Sequence, residues 1–235
     1  EEALGYYSAA LAFSSAPIQR IIPAVTQVSF AAFSRIQSDA ERVRRNLIRT
    51  VRLVSAFTFP ALFGLAAIAP VLLPVALGER WMGALIPFQI ICLVLPLKSI
   101  ASVQSAVLLS TGSAALNLSN MIISFVLMAG AFALGVRFGL LGLSVSWAIM
   151  FPIVFLITTL RATRALGVPA GEWLSAPGLS PFFAMIMYAV VLLMSMTIPA
   201  SIANGPRLVA LVLTGIVVFG SLVLVADRRA IDDLR

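Results

Sequence analysis

Apolar residues fill seven long runs of this chain, and short polar or charged stretches separate one run from the next. A membrane-spanning helix needs about 20 predominantly apolar residues, a length that all seven runs reach or approach. The pattern therefore predicts an all-α bundle of seven transmembrane helices. Their expected ranges are 4–33, 53–77, 83–110, 114–135, 140–160, 179–198 and 208–226.

The first predicted span is longer than a bilayer requires, so we expect it to tilt or bend. Pro17 and Pro23 lie inside it and offer bending points. Positions seven residues apart lie roughly on one face of a helix. In this span that face carries Tyr6, Phe13, Arg20, Gln27 and Ser34.

A charged segment at residues 34–52 separates the first two spans and contains six arginines. Ser38 and Glu41 form a capping-box pattern, which predicts a basic helix over residues 38–52. An apolar stripe on another face would let this helix lie along the membrane surface. That stripe consists of Val43, Leu47, Ile48 and Val51. The arginines are either a topology signal on a solvated helix end or a docking surface for anionic lipid head groups.

The distribution of arginines predicts the orientation, because short loops rich in Lys and Arg stay on the cytoplasmic side. Residues 34–52, the loop at 161–177 and the tail at 227–235 then lie in the cytoplasm. The opposite side carries only Arg80, Arg137 and Arg207. This places the C-terminus in the cytoplasm and the N-terminus outside. An odd number of spans is then expected before residue 1, so the chain is interpreted as part of a longer protein.

Composition supports an integral membrane protein: 61% of the 235 residues are hydrophobic, 11% are charged, and the mean hydropathy is +1.07. The net charge of +7 does not indicate nucleic acid binding, because the basic residues cluster at the ends of apolar runs. The chain has no histidine and a single cysteine, Cys92. No metal site, cofactor, disulfide or catalytic constellation is therefore predicted, and we do not expect an enzyme.

Arg20 and Lys98 are the candidate functional residues that stand out most, because each lies near the middle of a predicted span. A charge at that depth costs about 2.5–3.5 kcal/mol on insertion scales. No acidic residue lies inside any predicted span. This absence favours a cationic, water-filled cavity that receives an anion. The alternative is that both side chains pair with backbone carbonyls or polar neighbours and serve only helix packing.

Polar residues also open the fourth predicted span. Asn117, Asn120 and Ser124 recur there at helical spacing. Such residues commonly hold membrane helices together through hydrogen bonds. We keep Asn117 and Asn120, with Gln27, as candidate substrate contacts, and the packing interpretation stays open beside this one.

Several short motifs agree with a known family in their order and spacing. They are LGYYS at 4–8, Pro17 in an apolar run, FAAFSR at 30–35, VALG at 75–78 with Trp81, and LSTG at 109–112. Together these motifs resemble the polysaccharide transporter family, which contains Wzx-type flippases for lipid-linked oligosaccharides. That family belongs to the multidrug/oligosaccharidyl-lipid/polysaccharide exporter superfamily.

The resemblance implies two lobes of helices around a central cavity with alternating access. This chain would be the C-terminal lobe, residues 1–235, with the N-terminal lobe missing. The implied activity is translocation of an undecaprenyl-diphosphate-linked oligosaccharide across the bacterial inner membrane, for O-antigen, capsule or exopolysaccharide. The implied partners are that substrate, membrane lipids and the missing lobe, and Arg20 becomes a candidate contact for the diphosphate.

Two rival functions stay open at this point. A cation-coupled multidrug exporter of the same superfamily would be favoured by an acidic residue inside a span. A membrane glycosyltransferase or ligase of the polysaccharide pathway would need acid, base or sugar-binding residues in an extracytoplasmic loop. The predicted turns near Gly78, Val136 and Pro199 are short and contain no histidine.

Overall fold

A computed structural model describes residues 2–198 and 203–226, apart from the side chains of residues 2, 3, 20 and 226. These described residues contain no β-strand, so the predicted all-α fold class is confirmed. The α-helices are Glu2–Ile36 (α1), Ala40–Leu77 (α2), Leu85–Ser110 (α3), Ala114–Gly135 (α4), Gly139–Ala165 (α5), Ala170–Ser175 (α6), Ser180–Thr197 (α7) and Asn204–Ala226 (α8). The C-terminal tail at 227–235, with its predicted cytoplasmic location, lies outside the described residues.

Five helical segments in the described part of the chain are long and apolar enough to cross a membrane. One of them, Ala114–Ala165, contains both α4 and α5, which a short 3-10 turn at Val136–Phe138 joins. A shorter apolar helix, Ile21–Ile36, belongs to α1. The chain is therefore a multi-pass membrane protein, whereas the count of seven spans stays a prediction.

The predicted basic helix and the second predicted span form one continuous helix, α2, of 38 residues. Its N-cap is Asp39 rather than Ser38, one residue later than the capping-box pattern indicated. The Asp39 carboxylate accepts a hydrogen bond from the backbone N–H of Arg42 at 3.0 Å. This bond satisfies one of the free N–H groups at the start of the helix.

The apolar stripe of this basic segment is buried inside the protein. Val43, Leu47 and Val51 are each no more than 3% exposed. They pack in one cluster with residues from the ends of α1 and α3 and from the region around α6, including Phe33, Val107, Val168 and Ala176. The expectation that this helix lies along the membrane surface is therefore wrong. The stripe is apolar because it faces protein.

Helix α3 lies at the centre of the bundle and packs against α1, α2 and α5. Its apolar residues are buried on several faces, as expected for a helix that other helices surround. Helices α7 and α8 pack against α2 instead, through a separate apolar cluster that includes Ile68, Met187 and Leu211. These contacts leave α1, α3, α4 and α5 to form the opposite part of the molecule, where the predicted site residues lie.

Two glycines allow the chain to turn tightly between α4 and α5. A Cβ atom built on Gly142 would lie 2.0 Å from the carbonyl oxygen of Gly135. The hydroxyl of Ser146 donates to the carbonyls of Ala131 and Gly142, both at 2.9 Å. Only glycine fits this approach, which brings α4 back along α5 as an antiparallel pair.

A candidate substrate cavity

An open cavity of about 630 Å³ lies among α1, α3, α4 and α5. Hydroxyl, amide and ammonium groups share its wall with three phenylalanines. The polar residues are Thr26, Gln27, Lys98, Ser102, Ser105, Ser124 and Thr158, and the phenylalanines are Phe30, Phe151 and Phe155. This mixture of hydrogen-bonding groups and apolar surface suits an amphipathic ligand better than a purely apolar one.

Among the side chains that the structure describes, Lys98 is the only charged one in the wall of this cavity. It lies on α3 and is exposed, with its ammonium nitrogen 5.8 Å from the centroid of the Trp147 ring. Within residues 2–198 and 203–226, the carboxylates that form ion pairs pair with arginines of the basic segment, and none pairs with Lys98. The cavity therefore carries a positive charge that no carboxylate in the described part of the chain neutralises.

Gln27 enters the same cavity from α1, with Thr26 beside it. The structure thus brings together two of the five predicted site residues, Gln27 and Lys98, which lie 71 positions apart in the sequence. The backbone of Arg20 belongs to α1, about two turns before Gln27. The side chain of Arg20 lies outside the described part of the structure, so its location in the cavity stays a prediction.

Asn117 and Asn120 are buried on α4, and neither lines the cavity. The side-chain amide of Asn120 donates to the backbone carbonyl of Thr158 on α5, at 3.5 Å. The side-chain amide of Asn117 contacts the sulfur of Met121, one turn along α4, at 3.8 Å. The geometry of Asn120 favours the packing interpretation, and a substrate contact through either residue stays a prediction.

Trp147, beside Lys98, was not singled out in the sequence, and neither was its contact with Tyr7. The indole N–H of Trp147 donates to the hydroxyl of Tyr7 at 2.7 Å, which connects α5 to α1. Phe151 stacks on Trp147 with ring centroids 5.5 Å apart. A tryptophan inside an apolar run is itself a signal, because its N–H needs a partner when it is buried. Nothing local identified that partner, since it lies 140 positions earlier in the chain.

A buried polar pair joins α3 to α5 on the cytoplasmic side of the predicted topology. The side-chain amide of Gln104 and the hydroxyl of Thr159 lie 3.1 Å apart, and the same hydroxyl lies 3.3 Å from the amide oxygen. Arg161, on α5, donates to the hydroxyl of Ser119 on α4 at 2.8 Å. These bonds fix the helices that form the walls of the cavity.

The N-terminal part of the chain matches a known family model. Residues 1–86 match the model described as polysaccharide biosynthesis protein. The lipopolysaccharide biosynthesis protein WzxC of Escherichia coli is 31% identical over 106 residues, which are 45% of this chain and 22% of that protein. The teichuronic acid biosynthesis protein TuaB of Bacillus subtilis is 28% identical over 48% of this chain and 23% of its own length.

Longer matches extend over nearly the whole chain. The succinoglycan biosynthesis transport protein ExoT of Rhizobium meliloti is 27% identical over 226 residues, which are 95% of this chain and 46% of ExoT. A solved structure of the lipid II flippase MurJ, in an inward closed conformation, superposes with a TM-score of 0.76 at 18% identity. It covers 98% of this chain and 48% of the MurJ chain, so this chain has the fold of about half of MurJ.

The chain thus spans at most about half the length of the relatives it matches. Its helical arrangement is that of about half of MurJ, and its sequence is similar to those of polysaccharide biosynthesis and transport proteins. These matches confirm the resemblance to the polysaccharide transporter family that the sequence motifs indicated.

Proposed function

We propose that this chain is the C-terminal lobe of a flippase that moves an undecaprenyl-diphosphate-linked oligosaccharide across the bacterial inner membrane. The product would serve the synthesis of a surface polysaccharide. The N-terminal lobe would face the cavity described above, and the substrate would bind between the two lobes. No covalent bond forms or breaks in this activity.

The observation that carries the proposal is the charge of the cavity. Lys98 enters it without a carboxylate partner among the described residues, and Gln27 and Ser105 supply further donors in the same cavity. A diphosphate would accept charge-assisted hydrogen bonds from these groups. Its binding would offset the free-energy cost of a cation within the bundle. The hydroxyl groups and phenylalanines of the wall would suit sugar rings.

The names of the relatives support the same class of substrate. WzxC and TuaB are named for the synthesis of lipopolysaccharide and teichuronic acid, and ExoT for the transport step of succinoglycan synthesis. MurJ is named as a flippase for lipid II. A cation-coupled drug exporter is less well supported, because no described carboxylate lines the cavity. For a glycosyltransferase, the described turns at Glu79–Ala84 and Val136–Phe138 offer little room for an active site.

The proposed orientation keeps residues 34–52 and the C-terminus in the cytoplasm. It rests on the arginine distribution, since Arg80, Arg137 and Arg207 are the basic residues on the other side. In this orientation Tyr7 lies near the extracytoplasmic end of α1, and the buried Val43–Leu47–Val51 stripe lies near the cytoplasmic end of α2.

The experiment that tests this proposal replaces Lys98 and Arg20 in the full-length protein. Lys98→Ala and Arg20→Ala should each reduce the export of lipid-linked oligosaccharide per molecule of membrane-inserted protein, and the double variant should abolish it. Arg20→Lys should retain partial activity, because it keeps the charge but loses the two-pronged donor geometry. Arg137→Ala, which removes an exposed arginine from the turn after α4, is the matched control and should export normally.

Normal export by the Arg20→Ala, Lys98→Ala double variant would refute the anion cavity. Export is therefore normalised to the amount of protein in the membrane, measured with an epitope tag. Removing a cation from the bundle relieves a solvation cost, so we expect these variants to insert and accumulate at the level of the unmodified protein.

A further inference from the structure

The ammonium group of Lys98 lies over an aromatic ring, whereas a cation inside a membrane bundle more commonly pairs with a carboxylate. Its ammonium nitrogen is 5.8 Å from the centroid of the Trp147 ring, within the range of a cation–π interaction. Trp147 itself is only 9% exposed, so its ring belongs to the wall behind Lys98 and is not itself an open surface for ligand. The ring is therefore placed to act on Lys98.

Three contacts hold the Trp147 ring in place. Its N–H donates to the Tyr7 hydroxyl at 2.7 Å. Phe151 stacks on it at a centroid distance of 5.5 Å and an interplanar angle of 29°. Phe132 packs against it at 6.0 Å and 54°. Tyr7 belongs to α1, Phe132 to α4 and Phe151 to α5, which also carries Trp147. Three of the helices around the cavity therefore set the orientation of the ring.

The chemistry of this arrangement differs from that of an ion pair. A carboxylate beside Lys98 would cancel its charge and compete with an incoming anion for the same N–H groups. An aromatic face attracts the ammonium through its quadrupole but carries no net charge. The cation is thereby held in one place while its full charge, and the N–H groups that point away from the ring, stay available to phosphate oxygens.

We propose that Trp147 is a positioning residue for Lys98. Its ring holds the ammonium group at the cavity wall, where the N–H groups can donate to an incoming anion. The hydroxyl of Tyr7 in turn holds the ring through its hydrogen bond with the indole N–H. This inference rests on the proposed function, in which Lys98 contacts the diphosphate. Trp147 does not touch the substrate in this arrangement and acts through Lys98.

The test measures binding of inorganic pyrophosphate to the purified full-length protein in lipid nanodiscs. Trp147→Leu, which removes the π face, should weaken binding about two- to five-fold, the range that a cation–π contact at an exposed cation supplies. Trp147→Phe loses the N–H and part of the ring but keeps an aromatic face, so its effect should be clearly smaller. Phe132→Leu is the comparison variant, because Phe132 packs against the same ring and has no described contact with Lys98. It removes one of the three contacts on the ring but keeps the π face, so its affinity should fall less than that of Trp147→Leu.

A spectroscopic measurement reports on the ring directly and does not depend on the stability of Trp147→Leu. In a variant in which Trp147 is the only tryptophan, with Trp81→Phe and Trp173→Phe within this chain, pyrophosphate should change the indole emission. The same addition should leave the emission unchanged when Lys98→Met is present. Tyr7→Phe removes the acceptor of the indole N–H and should reduce the emission change.

Three results would overturn the inference while leaving the proposed function intact. The first is an equal loss of pyrophosphate affinity in Trp147→Leu and Phe132→Leu. The second is an equal loss of pyrophosphate affinity in Trp147→Phe and Trp147→Leu. The third is pyrophosphate binding without any change in Trp147 emission. A different result separates the two proposals: if Lys98→Met binds pyrophosphate as tightly as the unmodified protein, the anion role of Lys98 itself is wrong.

Discussion

Replacing Leu47 by alanine tests whether the basic segment at the start of α2 belongs to the protein core or to the membrane surface. Leu47 is 1% exposed and packs in the cluster that includes Phe33, Val51 and Val107. Leu→Ala at such a site removes buried methyl groups and leaves a cavity, which costs about 2–5 kcal/mol. Leu53→Ala, only six positions later on the same helix, is the matched control, because Leu53 is 40% exposed.

The expected loss of thermal stability follows from these numbers. For a chain of this size, 1 kcal/mol shifts the midpoint of unfolding by about 2–4 °C, so a loss of about 3 kcal/mol lowers the midpoint by about 6–12 °C. Leu53→Ala leaves no enclosed cavity, because its side chain faces the surroundings of the bundle. We therefore expect its midpoint to fall by no more than about 3 °C.

The chain provides its own reporter for this measurement. Cys92 is the only cysteine of the chain and is completely buried in the cluster around α3. A maleimide dye that fluoresces on reaction with a thiol should therefore label Cys92 only as the bundle unfolds on heating in detergent. Any cysteine outside residues 1–235 would be replaced by serine. Equal midpoints for Leu47→Ala and Leu53→Ala would refute the buried location and restore the surface interpretation of the stripe.

Two further predictions concern the turn between α4 and α5 and the orientation in the membrane. Gly142→Ala should lower the unfolding midpoint strongly, since its Cβ would lie 2.0 Å from the Gly135 carbonyl oxygen. Gly130→Ala, where a Cβ meets no atom within 4 Å, is its control and should unfold at an unchanged or slightly higher temperature. In a Cys92→Ser background, single cysteines at the exposed positions Ser38 and Ser175 should react with membrane-impermeant thiol reagents from the cytoplasmic side, and one at Ala203 from the outside. Labelling of Ser38→Cys from outside would invert the proposed topology.

The helices themselves were largely predictable because apolar runs and turn residues agree along much of the chain. The range predicted for the fourth span, 114–135, is the range of α4. The turn before it contains Gly112 at a φ of 79°, a backbone conformation that glycine adopts without strain. Local sequence was sufficient here, because both the helix and its boundary depend on residues close together in the chain.

The environment of the basic segment was not predictable from the same kind of pattern. An apolar stripe with arginines on the other faces is typical both of a helix on a membrane surface and of a helix packed against protein. The difference depends on Val168 and Ala176, more than 100 positions later, which cover the stripe. Arg44 also forms an ion pair with Glu172, at 2.5 Å, and so contacts the same region. No property of residues 38–52 alone distinguishes the two arrangements.

The candidate site was predictable to the extent that its chemistry is unfavourable in a membrane. Lys98 was identified because a charge within an apolar run costs free energy and therefore needs an explanation. Gln27 was identified by its helical spacing from Arg20, and the structure brings it to the same cavity as Lys98. Trp147 was missed because its one local signal, an indole N–H that needs a partner when buried, does not identify that partner. Its significance depends on Tyr7 and Lys98, which other helices supply.

Helix α1 connects these two groups of residues in a way that the sequence alone did not suggest. Near one end it accepts the hydrogen bond of Trp147 through Tyr7, and further along it contributes Gln27 to the cavity. Pro17 and Pro23 lie between these two positions, and proline interrupts the hydrogen bonding of a helix where it occurs. A bend at either proline would therefore change the distance from Gln27 to Lys98 without breaking the contact between Tyr7 and Trp147. The cation would stay on its aromatic ring while the polar groups opposite it moved, as the proposed binding and release of an anion would require.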